Sequence, residues 1–123
     1  MQEASIGIIS ISVREPQRAK DFYEQVLGFG VEHDQVMDGG VGWVMLRPSG
    51  GGAAITVVTW FETMSPGSMK GTVLNVADIE AAVTRLRSHG AVPEGTQINE
   101  APWGRRVSVD DPDGNSWVIR QPT

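Results

Sequence analysis

Val13-Arg14-Glu15-Pro16-Gln17-Arg18-Ala19-Lys20-Asp21-Phe22-Tyr23-Glu24-Gln25-Val26-Leu27-Gly28 is answered about 63 residues later by Val76-Ala77-Asp78-Ile79-Glu80-Ala81-Ala82-Val83-Thr84-Arg85-Leu86, which runs on to Gly90. In both copies a valine leads into a helix start. Pro16 suits the first helical position because no backbone donor is needed there, and Asp78 suits an N-cap because its carboxylate accepts from the free N–H groups of the first turn. Ala19, Phe22, Tyr23, Val26 and Leu27 recur at i, i+3, i+4, i+7 and i+8, and Ile79, Ala82, Val83 and Leu86 repeat that stripe, so each segment is an amphipathic helix stopped by a glycine. A repeat of this period predicts a pseudo-symmetric domain in which two copies bury one another's apolar faces, because one copy alone is too small to fold well.

Working outward, residues 5–13 are β-branched and alternate in their second half, which predicts a strand with Ser10 and Ser12 on one face and Ile9, Ile11 and Val13 on the other. After the first helix, turn signals at Asp38-Gly39-Gly40 and Pro48-Ser49-Gly50-Gly51-Gly52 mark out strands near 29–37, 42–48 and 53–60. Pro66 and Gly67 place a linker at 61–69. The order then restarts, with strands near 70–76, 91–99, 104–110 and 115–121 around the second helix. The expected fold is α+β, one domain over 1–123 built of two βαβββ modules, about 5–60 and about 70–121.

Composition narrows the function. Ten basic and fifteen acidic residues give a formal charge of −5, with no basic run longer than Arg105-Arg106, so a nucleic-acid partner is not expected. The chain has no cysteine, which removes disulfides, thiolate nucleophiles and zinc–thiolate sites and predicts a reducing, cytoplasmic location. The first residues lack the basic start and apolar run of a signal peptide, and no stretch nears the roughly 20 apolar residues that span a bilayer, so no membrane partner is expected.

The chain resembles the vicinal-oxygen-chelate superfamily, which contains glyoxalases, extradiol dioxygenases, fosfomycin-modifying enzymes and bleomycin-resistance proteins. The resemblance rests on Val13-Arg14-Glu15-Pro16 with Ala19, Phe22-Tyr23 and Leu27-Gly28-Phe29, and on Pro102-Trp103-Gly104-Arg105 with Asp111-Pro112-Asp113-Gly114-Asn115. It implies paired modules whose sheets curl around a cavity with the helices outside, in a homodimer. It also implies where a divalent metal would be held, by His, Glu or Gln on the first and last strand of each module. Those places correspond here to Ile8, Gly71, Ile55 and Val118. Transition metals need three or four converging nitrogen or oxygen ligands, and these side chains offer only hydrocarbon and hydrogen. Neither a metal nor another cofactor is expected. A displaced site on His33 with Glu32 or Asp34 fits poorly, because adjacent strand residues face opposite ways. His89, in the last turn of the second helix, suits a cap against the helix dipole better than a ligand. Asp110-Asp111-Pro112-Asp113-Gly114-Asn115 lacks the terminal glutamate of a calcium loop.

Alternation assigns the cavity lining. If Val44, Leu46, Val107 and Val109 face the helices, then Trp43, Met45, Arg47, Arg106 and Ser108 face the cavity, as do Ser10 and Ser12 beside Ile8, and Ser116 and Arg120 beside Val118. Trp103 stands at the mouth, while Trp60 and Trp117 face the helix side or an interface. The candidate ligand-binding residues are Trp43, Met45, Trp103, Arg106, Ser108, Ser10 and Ser12, and the expected partner is a hydrophobic or aromatic small molecule sequestered without chemical change. Two alternatives stay open: a glyoxalase-like lyase, isomerase or dioxygenase with a displaced metal or a carboxylate base from Glu32, Asp34 or Glu62, and a protein-interaction module.

Overall fold

A computed structural model describes residues 1–36 and 42–123. The end of the second expected strand at Met37 and the turn at Asp38-Gly39-Gly40 lie outside those residues. The first module runs β1 (Ile8–Ser12), α1 (Pro16–Asp21, closed by a π-helical turn over Phe22–Val26), β2 (Gly30–Val36), β3 (Gly42–Arg47) and β4 (Ala54–Val58). The second runs β5 (Thr72–Asn75), α2 (Ile79–Ser88), β6 (Asn99–Ala101), β7 (Gly104–Asp110) and β8 (Ser116–Pro122). The helix starts follow the sequence reading. Pro16 opens α1, and the Asp78 carboxylate accepts from the backbone N–H of Glu80 and Ala81, both at 3.1 Å.

Two four-stranded mixed sheets result, ordered β1-β4-β3-β2 and β5-β8-β7-β6. In each, the first strand pairs in parallel with the last, and the remaining pairings are antiparallel. The repeat in sequence is thus a repeat in topology, and β1 and β5 are both sheet edges. The strand expected at 91–99 forms only at Asn99–Ala101, because Pro93 and Gly95 divert the chain into a turn in which Thr96 N–H donates to the Pro93 carbonyl at 3.0 Å.

One core serves both modules. Ile11, Val44, Leu46, Ile55 and Val57 of the first sheet, Val107, Val109, Trp117 and Ile119 of the second, and Ala19, Phe22, Tyr23, Ile79, Val83 and Leu86 of the helices form a single buried cluster. At its centre Tyr23 meets Trp117 edge-on, with ring centroids 5.7 Å apart. The aromatic contact is locked by a buried polar network. Tyr23 Oη donates to Asp111 Oδ2 at 2.7 Å and accepts from Trp117 Nε1 at 3.0 Å. Asn115 Nδ2 donates to the same Asp111 oxygen and to the Ser12 carbonyl at 2.8 and 3.1 Å. Asp111 Oδ1 accepts from the backbone of Asp113 and Asn115, both at 2.9 Å. Burial, reinforced by the negative charge of Asp111, pushes the Tyr23 phenol well above its ordinary pKa, so it stays a neutral donor. The Asp111–Asn115 segment, which lacks the terminal glutamate of a calcium loop, therefore ties β1 and α1 of one module to β8 of the other.

Candidate functional site

Each sheet keeps one face off that core. On the first, the register sets Ser10, Thr56, Met45 and His33 in one row across β1, β4, β3 and β2. The Ser10 and Thr56 hydroxyls are 3.0 Å apart, and the His33 and Trp43 rings lie 5.8 Å apart. Ile8, 53% exposed, continues the face towards the chain start. Arg47 shares it but is occupied, its Nε donating to Glu32 at 2.7 Å and its Nη1 to the Gly52 carbonyl at 2.6 Å. Ser12 does not reach this surface: it is only 2% exposed, because the 111–115 turn closes over the end of β1.

On the second sheet the free face carries Val73, Val118 and Ser108 in one row and Asn75, Arg120 and Arg106 in the next. Arg120 Nε donates to Asn75 Oδ1 at 3.0 Å. The Arg106 guanidinium lies 5.7 Å from the ring centre of Trp103, which is 54% exposed. Trp43, Met45 and Ser10 thus share one patch, and Trp103, Arg106 and Ser108 share another. Among the described residues no hydrogen bond, ion pair or ring contact joins the two. Trp60 and Trp117, both expected on the helix side or at an interface, differ: Trp117 is buried in the core, and Trp60 is exposed beside Phe61.

Between the edges β1 and β5 lies a cleft of about 460 Å³, a volume in the range of small-molecule sites. Ile9, Ile11, Phe29, Leu74 and Trp117 form its apolar wall, and the 48–53 loop forms its rim. None of the seven ligand-binding candidates lines it. Ile55 does, and this corrects the sequence assignment. The 63-residue offset pairs Ile55 with Val118, yet β1–β4 matches Ser10 to Thr56 just as β5–β8 matches Val73 to Val118. Thr56 is therefore the counterpart of Val118, and Ile55 is a core side chain, 4% exposed. A slip of one residue along a strand turns a side chain to the opposite face.

The corrected quartet of Ile8, Thr56, Gly71 and Val118 adds one hydroxyl, already engaged with Ser10. It does not fit a transition metal, which needs several imidazole, carboxylate or amide ligands together. Among the described residues no group of three or more His, Asp or Glu converges.

The carboxylates considered as bases are poorly suited to that role. Hydrogen bonding from Arg47 holds Glu32 below the usual carboxylate range, and hydrogen bonds from Lys20 and Gln17 do the same for Asp34. A base that takes a proton from carbon at neutral pH needs the opposite shift. Glu62 is exposed on the linker. The alternation reading did not select His33 and Thr56, whose places depend on nonlocal pairing, as ligand-facing groups. Arg120 was legible: counting seven residues to either side of Asp113 sets it opposite Arg106.

No helix among the described residues is long and apolar enough to cross a membrane. The family model of the Glyoxalase/Bleomycin resistance protein/Dioxygenase superfamily matches residues 5–119. The antibiotic binding protein TnmS3 from Streptomyces sp. CB03234 has a similar structure, with a TM-score of 0.86 at 33% identity over 100% of this chain and 99% of that one. A glyoxalase/bleomycin resistance protein from the same organism gives a TM-score of 0.80 at 34% identity, over 95% of this chain and 100% of the other. The uncharacterized protein YetH of Bacillus subtilis (strain 168) is 28% identical across 119 residues, 94% of this chain and 97% of the relative. With its tandem βαβββ modules, its two mixed sheets and a family match along almost its whole length, this chain belongs to the glyoxalase/bleomycin resistance protein/dioxygenase superfamily.

Proposed function

We propose that this chain is a metal-free, cytoplasmic binding protein, one domain in extent, that sequesters a hydrophobic or aromatic small molecule without changing it chemically. One observation carries the reading: the four positions where metal-dependent relatives would gather imidazole and carboxylate hold Ile8, Thr56, Gly71 and Val118, with the Trp43 indole and Met45 thioether on the same face as Ile8 and Thr56. Such a surface attracts by contact, stacking and exclusion of water. The similarity to an antibiotic binding protein supports it.

The working form in this proposal is a homodimer. β1 and β5 are unpaired edges flanking an apolar cleft, with Ile8 and Val73 53% and 47% exposed beside them. Unpaired edges with exposed apolar side chains leave N–H and C=O groups open to another chain. A second copy meeting them brings the Trp43–Met45–Ser10 patch of one chain alongside the Trp103–Arg106–Ser108 patch of the other, which one chain keeps apart. Light scattering is expected to give twice the 13.3 kDa chain mass.

Intrinsic fluorescence during titration with aromatic antibiotics, thiol conjugates and catechols tests the binding reading. At least one compound is expected to quench emission, and Trp43→Ala is expected to weaken its binding about tenfold, the effect of losing roughly 1.4 kcal/mol of stacking, without lowering the melting temperature. Turnover of the ligand, or near one equivalent of transition metal surviving dialysis, overturns the proposal. An oligomer that responds to no member of the panel favours a protein-interaction module.

A further inference from the structure

Arg106 and Arg120 stand directly opposite one another on the antiparallel strands β7 and β8, on the same free face. Like charges in directly opposed positions destabilise a sheet, and carboxylates are not scarce in a chain of net charge −5. The neighbouring Arg105 shows the usual solution. It points to the helix side and is held between Glu80 and Glu100, both at 3.0 Å. Among the described residues neither Arg106 nor Arg120 has a carboxylate within ion-pair reach. Arg120 is steadied by the neutral Asn75, and Arg106 lies against the exposed ring of Trp103. Each contact orients a guanidinium while leaving its charge uncompensated, and Asn99, opposite Arg106 on β6, is neutral as well.

We infer that Arg106 and Arg120 form an anion clamp, and that the sequestered molecule is a planar aromatic compound carrying an acidic group ionised at neutral pH. This rests on the reading of the free faces as the ligand site and adds the charge of the ligand to it. Two guanidinium groups carried at opposed positions of neighbouring strands can swing to supply several planar donors to one carboxylate, phenolate or sulfonate. Trp103 beside them offers a ring face to the aromatic part. The bound anion neutralises the opposed charges, so the repulsion present in the empty protein adds to the preference for an acid.

Two fluorescent probes with one aromatic skeleton test this: 8-anilinonaphthalene-1-sulfonate, and N-phenyl-1-naphthylamine, which lacks the sulfonate. Wild-type protein is expected to bind the sulfonate at least tenfold more tightly, with an affinity that falls as salt is added. Arg106→Gln and Arg120→Gln are each expected to erase that preference while leaving the neutral probe within twofold. Arg105→Gln, on the opposite face, should change neither affinity. Because they relieve like-charge opposition, the two clamp variants are expected to melt at or above the wild-type temperature, so a binding loss cannot be ascribed to unfolding. Equal affinity for both probes in wild type and variants overturns the clamp while the aromatic site stands. Failure of both probes to bind overturns the clamp together with the ligand-site reading.

Discussion

Asp111→Ala is expected to remove about 4 kcal/mol of stability and lower the melting temperature by roughly 15 °C. The carboxylate is 4% exposed and accepts from four donors: Tyr23 Oη, Asn115 Nδ2, and the backbone N–H groups of Asp113 and Asn115. Alanine leaves them facing a void. An unpaired buried donor costs about 1–3 kcal/mol, and the loss is shared because Asn115 also holds the Ser12 carbonyl and Tyr23 also receives the Trp117 indole. Asp111→Asn keeps one acceptor oxygen and is expected to lose about half as much. Tyr23→Phe, which strands the Trp117 N–H and one lone pair of Asp111, should cost about 2 kcal/mol. Thermal unfolding followed by circular dichroism ranks the three. An Asp111→Ala protein melting within about 3 °C of wild type would show that the network is not what joins the modules.

The second large effect is expected at Gly67, in the segment that looks in sequence like a loose linker. Its φ is +81°, and a Cβ there would sit 2.0 Å from the Asp113 carbonyl oxygen and 3.0 Å from its carbon. A left-handed backbone costs an L-residue about 1–2 kcal/mol, and a backbone carbonyl cannot swing aside as a side-chain tip can. The segment is also anchored. Met69 N–H donates to Asn115 Oδ1 at 3.0 Å, Ser116 N–H donates to the Met69 carbonyl at 2.9 Å, and Lys70 Nζ reaches the Gly114 carbonyl at 2.9 Å. Gly67→Ala must therefore push the linker off the 111–115 turn, at about 3 kcal/mol in total. Gly50→Ala, where a Cβ meets nothing within 4 Å, is the matched control and should fall within about 0.5 kcal/mol of wild type. Urea unfolding midpoints that coincide for the two variants would contradict the docked linker.

Several elements were legible because their causes are local. The Pro16 and Asp78 helix starts depend on groups within one turn of chain, and the faces of β3 and β7 follow from alternation of Val44 with Met45 and of Val107 with Ser108. The β7–β8 register follows from a tight turn, which is why Arg106 and Arg120 can be matched by counting. Ile55 shows where that reasoning stops. The β1–β4 register is parallel and joins residues 46 apart in the chain, with helix and hairpin between them. No turn sets its phase, and one residue of error exchanges Ile55 for Thr56.

By itself, then, the sequence determined the tandem βαβββ plan, the two helices, and the inner and outer faces of the hairpin strands. Tertiary structure alone decided that Asp111 is a buried acceptor binding two modules, that Ser12 is sealed under a turn, and that the aromatic and cationic candidates occupy separate patches. The division has one physical reason: helix caps, turns and alternation are set by neighbours along the chain, whereas parallel pairing, burial and the meeting of sheets depend on contacts between distant residues that only the folded chain brings together.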